Sequence, residues 1–403
     1  VTSPRTILIV NQLYPPYVIG GAEKSVSLLA EALVRAGNRV VVVCLTPGDK
    51  REDEVRNGVN VVRLPLDNLY WAFDNTQKPG ALKRILWHLR DRWNRKAARR
   101  FADVVDAFKP DVVHTNNLMG FSVAVWQVLK SRGIPVVHTL RDYSLLCGRA
   151  TLFRHNHICE HRCTDCKALT SNRRDKSVLV DEVASNSDFV IREHLRHGYF
   201  SGKPTSVIYN IADLSAKPAV ADTPENELVF GFIGQVVDEK GIRVVLEATK
   251  KLTRINWRLR IAGRGSQDYL DQLQAEFGDE RIEWLGFAKP ETFYTRIDTS
   301  LIASVWHEPL PRTLIESFAY GRSALCARAG GIPEIASIGK CVELYDPFDS
   351  DALARLMDAA IDDRARWKSA QVPDSDFFSV FSEAEIVRRY SELYERAALK
   401  RTA

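Results

Sequence analysis

The sequence predicts an α/β protein built from two Rossmann-like halves, and three observations carry that reading. Short β-branched runs alternate with longer amphipathic stretches; the alternation stops at an Ala- and Pro-rich segment and then starts again; and glycines follow the apolar runs of the second half. Alternation of this kind is the pattern of βαβ units on a parallel sheet. A chain of 403 residues also exceeds the length at which a single core stops growing, so two domains are expected.

In the first half RTILIV reads as a strand, an amphipathic helix is expected from about Ala22 to Ala36, and NRVVVVCL, DVVHT and PVVHT read as further strands. After VIYN, ending at Asn210, the stretch LSAKPAVADTPEN has no periodicity and reads as a linker. LVFGFIG, WRLRIAG, RIEWLG, TSLIAS and SALCARAG then repeat the strand pattern, each followed by a helical segment or a Gly-rich turn. The expected domains are 1–212 and 226–377, with a helix over 378–403 crossing back to the first.

Composition is that of an ordinary soluble protein, 45% hydrophobic and 27% charged. A net charge of +5 is mild and fits local basic patches rather than a nucleic-acid-binding protein, so no nucleic acid is expected as partner. No apolar run approaches the roughly 18 residues of a membrane span. RTILIV is too short for a signal-peptide core, which reads as a cytoplasmic protein.

In open α/β sheets ligands sit beyond the carboxyl ends of strands, so the residues after each apolar run are the ones to inspect. In the second half these are GQVVDEKG (Gly234 to Gly241), AGRGS (Ala262 to Ser266), VWHEPLPRTLIESF (Val305 to Phe318) and AGGIPEI (Ala329 to Ile335). Glycine lets backbone N–H groups approach a ligand, and Lys240 and Arg264 supply positive charge for phosphates. Glu308 and Glu316 stand eight positions apart, about 800° around a continuous helix, too far in height to share a small ligand. Pro309 and Pro311 favour a helix start between them, which leaves Glu308 in a loop and Glu316 on the helix, each free to hold a different part of one ligand.

The ordered set GxxxxEKG, AGxG, Glu-x7-Glu and GGIPE resembles the retaining glycosyltransferases of family 4, and the resemblance covers essentially the whole chain. It implies the GT-B fold, two Rossmann-like domains facing a central cleft, and transfer of a sugar from a nucleotide-diphosphate sugar to a glycan or lipid-linked glycan acceptor, with no catalytic metal. Carried over residue by residue, it implies that Glu308 lies by the donor sugar, that Glu316 binds the ribose and that Lys240 meets the diphosphate. Gln235, Arg264, Leu310, Arg312, Gly330, Gly331 and Glu334 complete the donor-binding set, and Gly20 and Gly21 resemble the family's N-terminal glycine pair. Three positions depart from the family: Gln235 replaces the usual arginine, Pro311 stands where glycine is common, and Arg141 of TLRDY replaces a histidine that faces the donor sugar. A guanidinium at Arg141 suits an acidic or N-acetylated sugar, or a pairing with Asp142, and is counted with Glu308 and Lys240 among the catalytic candidates. His114, ending DVVHT, is equally a family-type histidine and a satisfied core residue. A GT-B sugar-nucleotide epimerase and a non-catalytic, metal-stabilised binding protein are the alternative readings.

Cys147, Cys159, Cys163 and Cys166 fall within twenty residues, whereas Cys44, Cys326 and Cys341 sit alone in apolar runs. Clustered thiols in a reducing compartment suggest one closed, structural zinc site, with His155, His157 and His161 as alternates and a role in tying down a loop on the acceptor side. Ala81 to Arg100 carries eight Lys or Arg against one Asp, with Ile85, Leu86, Leu89 and Trp93 at helical spacing. It reads as one basic helix, equally a solvated face or a contact with the cytoplasmic face of an anionic membrane.

Overall fold

The computed structural model describes residues 4–73, 79–212, 219–369, 371 and 373–402. The chain divides into two compact units, Val1–Leu152 with Glu160–Ile211 and Glu383–Ala403, and Phe153–Cys159 with Ala212–Ser382. Part of the linker read over 214–226 lies outside the described residues.

The first unit is built on β1 (Thr6–Val10), β2 (Arg39–Thr46), β3 (Glu52–Arg56), β4 (Val59–Pro65), β5 (Val112–Thr115) and β6 (Val136–Leu140). Two-residue strands β7 (Phe153–Arg154) and β8 (His157–Ile158) pair with each other antiparallel and belong to the second unit. β9 (Glu182–Ser185) and β10 (Thr205–Val207) complete the first sheet, whose order is β10-β9-β6-β5-β1-β2-β4-β3. Every neighbouring pair is parallel except β3 on β4. Seven of the eight residues of β2 are buried, as a strand covered on both faces requires. The helix Gly21–Arg35 buries Val26, Leu29 and Leu33 in a core that also takes Ile386, Tyr390, Leu393 and Tyr394 of the helix Glu383–Thr402.

The second sheet consists of β11 (Leu228–Ile233), β12 (Trp257–Ala262), β13 (Ile282–Gly286), β14 (Thr299–Ile302), β15 (Ser323–Ala327) and β16 (Val342–Tyr345). Its order, β13-β12-β11-β14-β15-β16, is wholly parallel. Chain direction along the sheet reverses between β11 and β14, as it does between β1 and β5 in the first unit. Both sheets are therefore doubly wound, with a ligand crevice expected at each reversal.

Two helices differ from their sequence reading. The basic segment 81–100 is not one helix: Ala81–Asp91 ends before Asn94, and a second helix runs Arg95–Phe108. Asn94 takes φ −90° and ψ 90°, its side chain accepts the Ala97 N–H at 3.1 Å, and its amide donates to the carbonyls of Asp67 and Gly120. Buried Asp91 is paired with Arg173 and accepts the Gly120 N–H, which pins the end of the first helix. The tail likewise forms two helices, Ser375–Val380 and Glu383–Thr402. They break where the carbonyl of buried Phe381 accepts the N–H of Ala212.

Candidate functional site

In the second unit the reversal brings together two loops that follow β11 and β14. Lys240 from the first and Glu308 from the second form an ion pair, Nζ to Oε2, at 2.5 Å. Glu308 Oε2 also accepts a hydrogen bond from Ser304 Oγ at 3.1 Å, and the lysine ammonium lies 5.5 Å from the centre of the Trp306 ring. A third loop is locked onto these: the Gly331 N–H donates to the Glu308 carbonyl at 2.7 Å. Pro311 precedes the helix Arg312–Ala319, so Glu308 lies in the loop and Glu316 on the helix. Glu316 carries Arg312 at 3.6 Å, one turn earlier, and burial, with a smaller contribution from the Glu316 carboxylate, pushes the Tyr294 phenol well up. Tyr294 in turn stacks on Tyr320 and donates to the Thr313 carbonyl.

The glycines here have a physical role that spacing did not reveal. Gly330 has φ +61°, and a Cβ on it would fall 2.3 Å from the Glu308 carbonyl oxygen; Gly241 has φ +73°, and its Cβ would meet the Ala303 carbonyl. Both are needed because loop backbone packs on loop backbone, not only because a ligand must come close. Glu334 sits in the first turn of the helix Ile332–Ala336 and Leu310 is buried beneath the loop. Gln235 and Arg264 are exposed, and the Arg264 guanidinium lies over the Phe287 ring at 4.8 Å. Ser304 and Trp306 were not singled out among the candidate residues, although both follow the TSLI strand, where such residues are to be sought.

In the first unit Gly20 precedes the helix that starts at Gly21, and its N–H is held by buried Glu23 at 2.9 Å. That carboxylate, three residues into a helix, is half of a capping box and was not singled out from the sequence. Asn116, Arg141 and Asn210 follow β5, β6 and β10. Arg141 donates from Nε to Asn116 at 2.7 Å and from Nη1 to Asn210 at 2.5 Å. The pairing with Asp142 is not formed: Asp142 accepts the Ser144 N–H instead. His114 is a core residue, wholly buried, with Nδ1 on Tyr394 and Nε2 on Thr139; burial pushes it well below the usual histidine range.

The seven cysteines form no disulfide with one another. The Arg149 N–H donates to the Cys147 sulfur at 3.4 Å, and the thiols of Cys147, Cys163 and Cys166 are close enough to influence one another. Such an N–H suits a thiolate ligand, so the three sulfurs fit a soft metal chemically. Among the described residues no three His, Cys, Asp or Glu side chains already stand at the spacing of a metal site.

Comparison with known proteins decides the class. Residues 215–372 match the family described as glycosyl transferases group 1, and residues 20–201 match the glycosyl transferase 4-like domain. The chain belongs to the group 1 glycosyltransferases. It is 34% identical to an uncharacterized 42.6 kDa protein in the cps region of Klebsiella pneumoniae, over 82% of this chain and 87% of that one. To the glycogen synthase of Mycobacterium tuberculosis it is 26% identical, over 89% and 86%. In fold this glycosyltransferase is similar to the sucrose-phosphate synthase of Thermosynechococcus elongatus, with a TM-score of 0.74, 19% identity and coverage of 99% of this chain and 100% of the other. Anabaena HepE in complex with UDP and glucose gives a TM-score of 0.70 at 18% identity, over 97% and 99%. The two doubly wound units are thus those of the GT-B fold.

Proposed function

We propose that this glycosyltransferase retains anomeric configuration as it moves a sugar from a nucleoside-diphosphate sugar onto a glycan or lipid-linked glycan in polysaccharide assembly. The observation that carries the reading is the Lys240–Glu308 pair at the sheet reversal of the second unit. A fixed ammonium there neutralises charge that grows on the leaving diphosphate as the glycosidic bond breaks, and it is in place before the reaction starts. Glu308, oriented by Lys240 and Ser304, accepts hydrogen bonds from sugar hydroxyls, and Glu316 accepts those of the ribose. Gly330 and Gly331 hold the Glu308 backbone, so they act on the sugar through that carboxylate. HepE was solved with UDP-glucose, which makes UDP-sugars the first donors to try. Incubating the protein with UDP- and GDP-sugars and glycan acceptors, and reading the new linkage by NMR, tests the reading: an α-linked donor should give an α-linked product. Conversion of the donor in the absence of acceptor would favour the epimerase instead.

Two further parts of the reading concern surroundings. Cys147, Cys163 and Cys166 of the first unit would hold a structural zinc ion that ties down their segment without touching the chemistry. The helix Ala81–Asp91 turns its apolar residues outward: Leu82, Ile85, Leu86 and Leu89 are 43–70% exposed. Buried Trp87 and Asp91 lie on the opposite side of that helix. Exposed Lys83 and Arg90 border the stripe, the arrangement of a helix lying on an anionic membrane. No helix among the described residues is long and apolar enough to cross one. On this reading the enzyme works at the cytoplasmic face, where lipid-linked acceptors are presented.

A further inference from the structure

We infer that Arg141 recognises the carboxylate of an acidic sugar, carried either by the donor or by the acceptor. This rests on the glycosyl transfer proposed above and names its substrate class. Among the described residues four arginines are buried below one-tenth exposure: Arg63, Arg141, Arg173 and Arg322. Arg63 is neutralised by Glu54 at 2.8 Å and Arg173 by Asp91 at 3.1 Å. Arg322 is wrapped by the backbone carbonyls of Ala219, Ile297 and Tyr320. Arg141, only 7% exposed, has two neutral amide oxygens, Asn116 Oδ1 at 2.7 Å and Asn210 Oδ1 at 2.5 Å.

Those amides fix the plane of the guanidinium but leave its charge uncancelled. The adjacent Asp142 is committed to the Ser144 N–H, and among the described residues no carboxylate pairs with Arg141. A desolvated cation without a counter-ion is costly unless something else supplies the charge. Arg141 follows β6 at the carboxyl edge of the first sheet, and Asn116 and Asn210 follow β5 and β10 at the same edge, where doubly wound sheets bind ligands. Two of its five N–H donors are used; the remaining three match the planar, two-pronged geometry of an oxyanion. Phosphate neutralisation belongs in the proposed mechanism to Lys240 of the second unit, which leaves a sugar carboxylate as the anion for this site.

The test uses the intact protein and its Arg141→Gln and Arg141→Lys variants, each checked for an unchanged melting temperature. In the donor arm, calorimetry compares UDP-glucuronate, UDP-glucose and UDP. In the acceptor arm, transfer onto uronate-containing oligosaccharides is compared with transfer onto their carboxyl-reduced counterparts. The wild type should prefer the carboxylate-bearing partner about tenfold or more in one arm. Arg141→Gln should erase that preference while UDP binding stays within about twofold, and Arg141→Lys should restore part of it, because charge without the fork keeps some of the attraction. Equal handling of acidic and neutral partners by the wild type in both arms would overturn the inference. So would an Arg141→Gln variant that weakens UDP and both UDP-sugars alike, since the charge would then serve the diphosphate. If no nucleotide or nucleotide sugar binds the wild type, the glycosyl-transfer reading itself fails, a result distinct from either of these.

Discussion

The two units wind their sheets in the same order yet furnish the carboxyl edges in opposite ways. At the reversal of the second sheet an ammonium and a carboxylate already face each other, Lys240 on Glu308, and three loops are locked by close backbone contacts at Gly241 and Gly330. At the edge of the first sheet the neutral amides of Asn116 and Asn210 hold Arg141, which no carboxylate among the described residues pairs. One topology thus carries a prearranged, charge-balanced site in one unit and a charge-unbalanced one in the other. The topology supplies only the place; the residues after each strand supply the chemistry.

If that contrast is right, losses should be uneven. Lys240→Ala should lower turnover about 10²–10³-fold, the usual cost of a missing electrostatic donor, and Gln235→Ala on the same loop far less. Steady-state donor consumption measures both, and equal losses would remove the special standing of the lysine. Next in size, Gly330→Ala should cost about 3 kcal/mol, from a left-handed φ plus a Cβ driven into the Glu308 carbonyl. Gly133, φ +67° but with nothing within 4 Å of a Cβ, should cost only about 1 kcal/mol in the same substitution. Chemical denaturation of the two variants checks whether the loops of the second unit are locked as described. Glu316→Ala should then weaken nucleotide binding by about 1.5–3 kcal/mol, or roughly ten- to hundredfold, read by calorimetry with UDP.

The first unit responds to pH. His114, His138 and His194 are held below the usual range by burial, His138 at about 3 and His194 at about 4. A depressed histidine favours the folded state fully above about pH 6.5 and progressively less as pH falls toward the folded value. His138 and His194 should therefore each contribute about 2 kcal/mol of lost stability at pH 5 relative to pH 8, and His114 acts in the same direction. NMR titration of the ring protons in the folded protein measures each histidine directly, and titration of His138 and His194 near the ordinary value of about 6.5 would remove the effect.

How much of this was legible beforehand follows from the range of each interaction. Strand alternation is local, so VVVVCL and LVFGFI announced a doubly wound sheet in each half. The place of Glu308 in a loop and Glu316 on a helix was written in Pro309 and Pro311. The break at Asn94 was not legible, because ALKRILWHLRDRWNRKAARR keeps a continuous helical period while the groups that fix Asn94, the Asp67 and Gly120 carbonyls, lie 26 or 27 residues away. The same holds for the contact that requires Gly330 and for the amides around Arg141, 25 and 69 residues distant. Tertiary partners leave no periodicity in the chain that bears them.

The central claim, that the second unit holds a sugar nucleotide through the Lys240–Glu308 loops, is tested most directly by the melting temperature of the intact protein with UDP-sugars, for the wild type and for Lys240→Ala. A ligand at about 100 times its dissociation constant should stabilise the wild type by about 2.7 kcal/mol, raising its melting temperature, and the variant should show a much smaller rise at the same concentration. A wild type indifferent to every nucleotide sugar, or a Lys240→Ala protein stabilised as much as the wild type, would contradict the account.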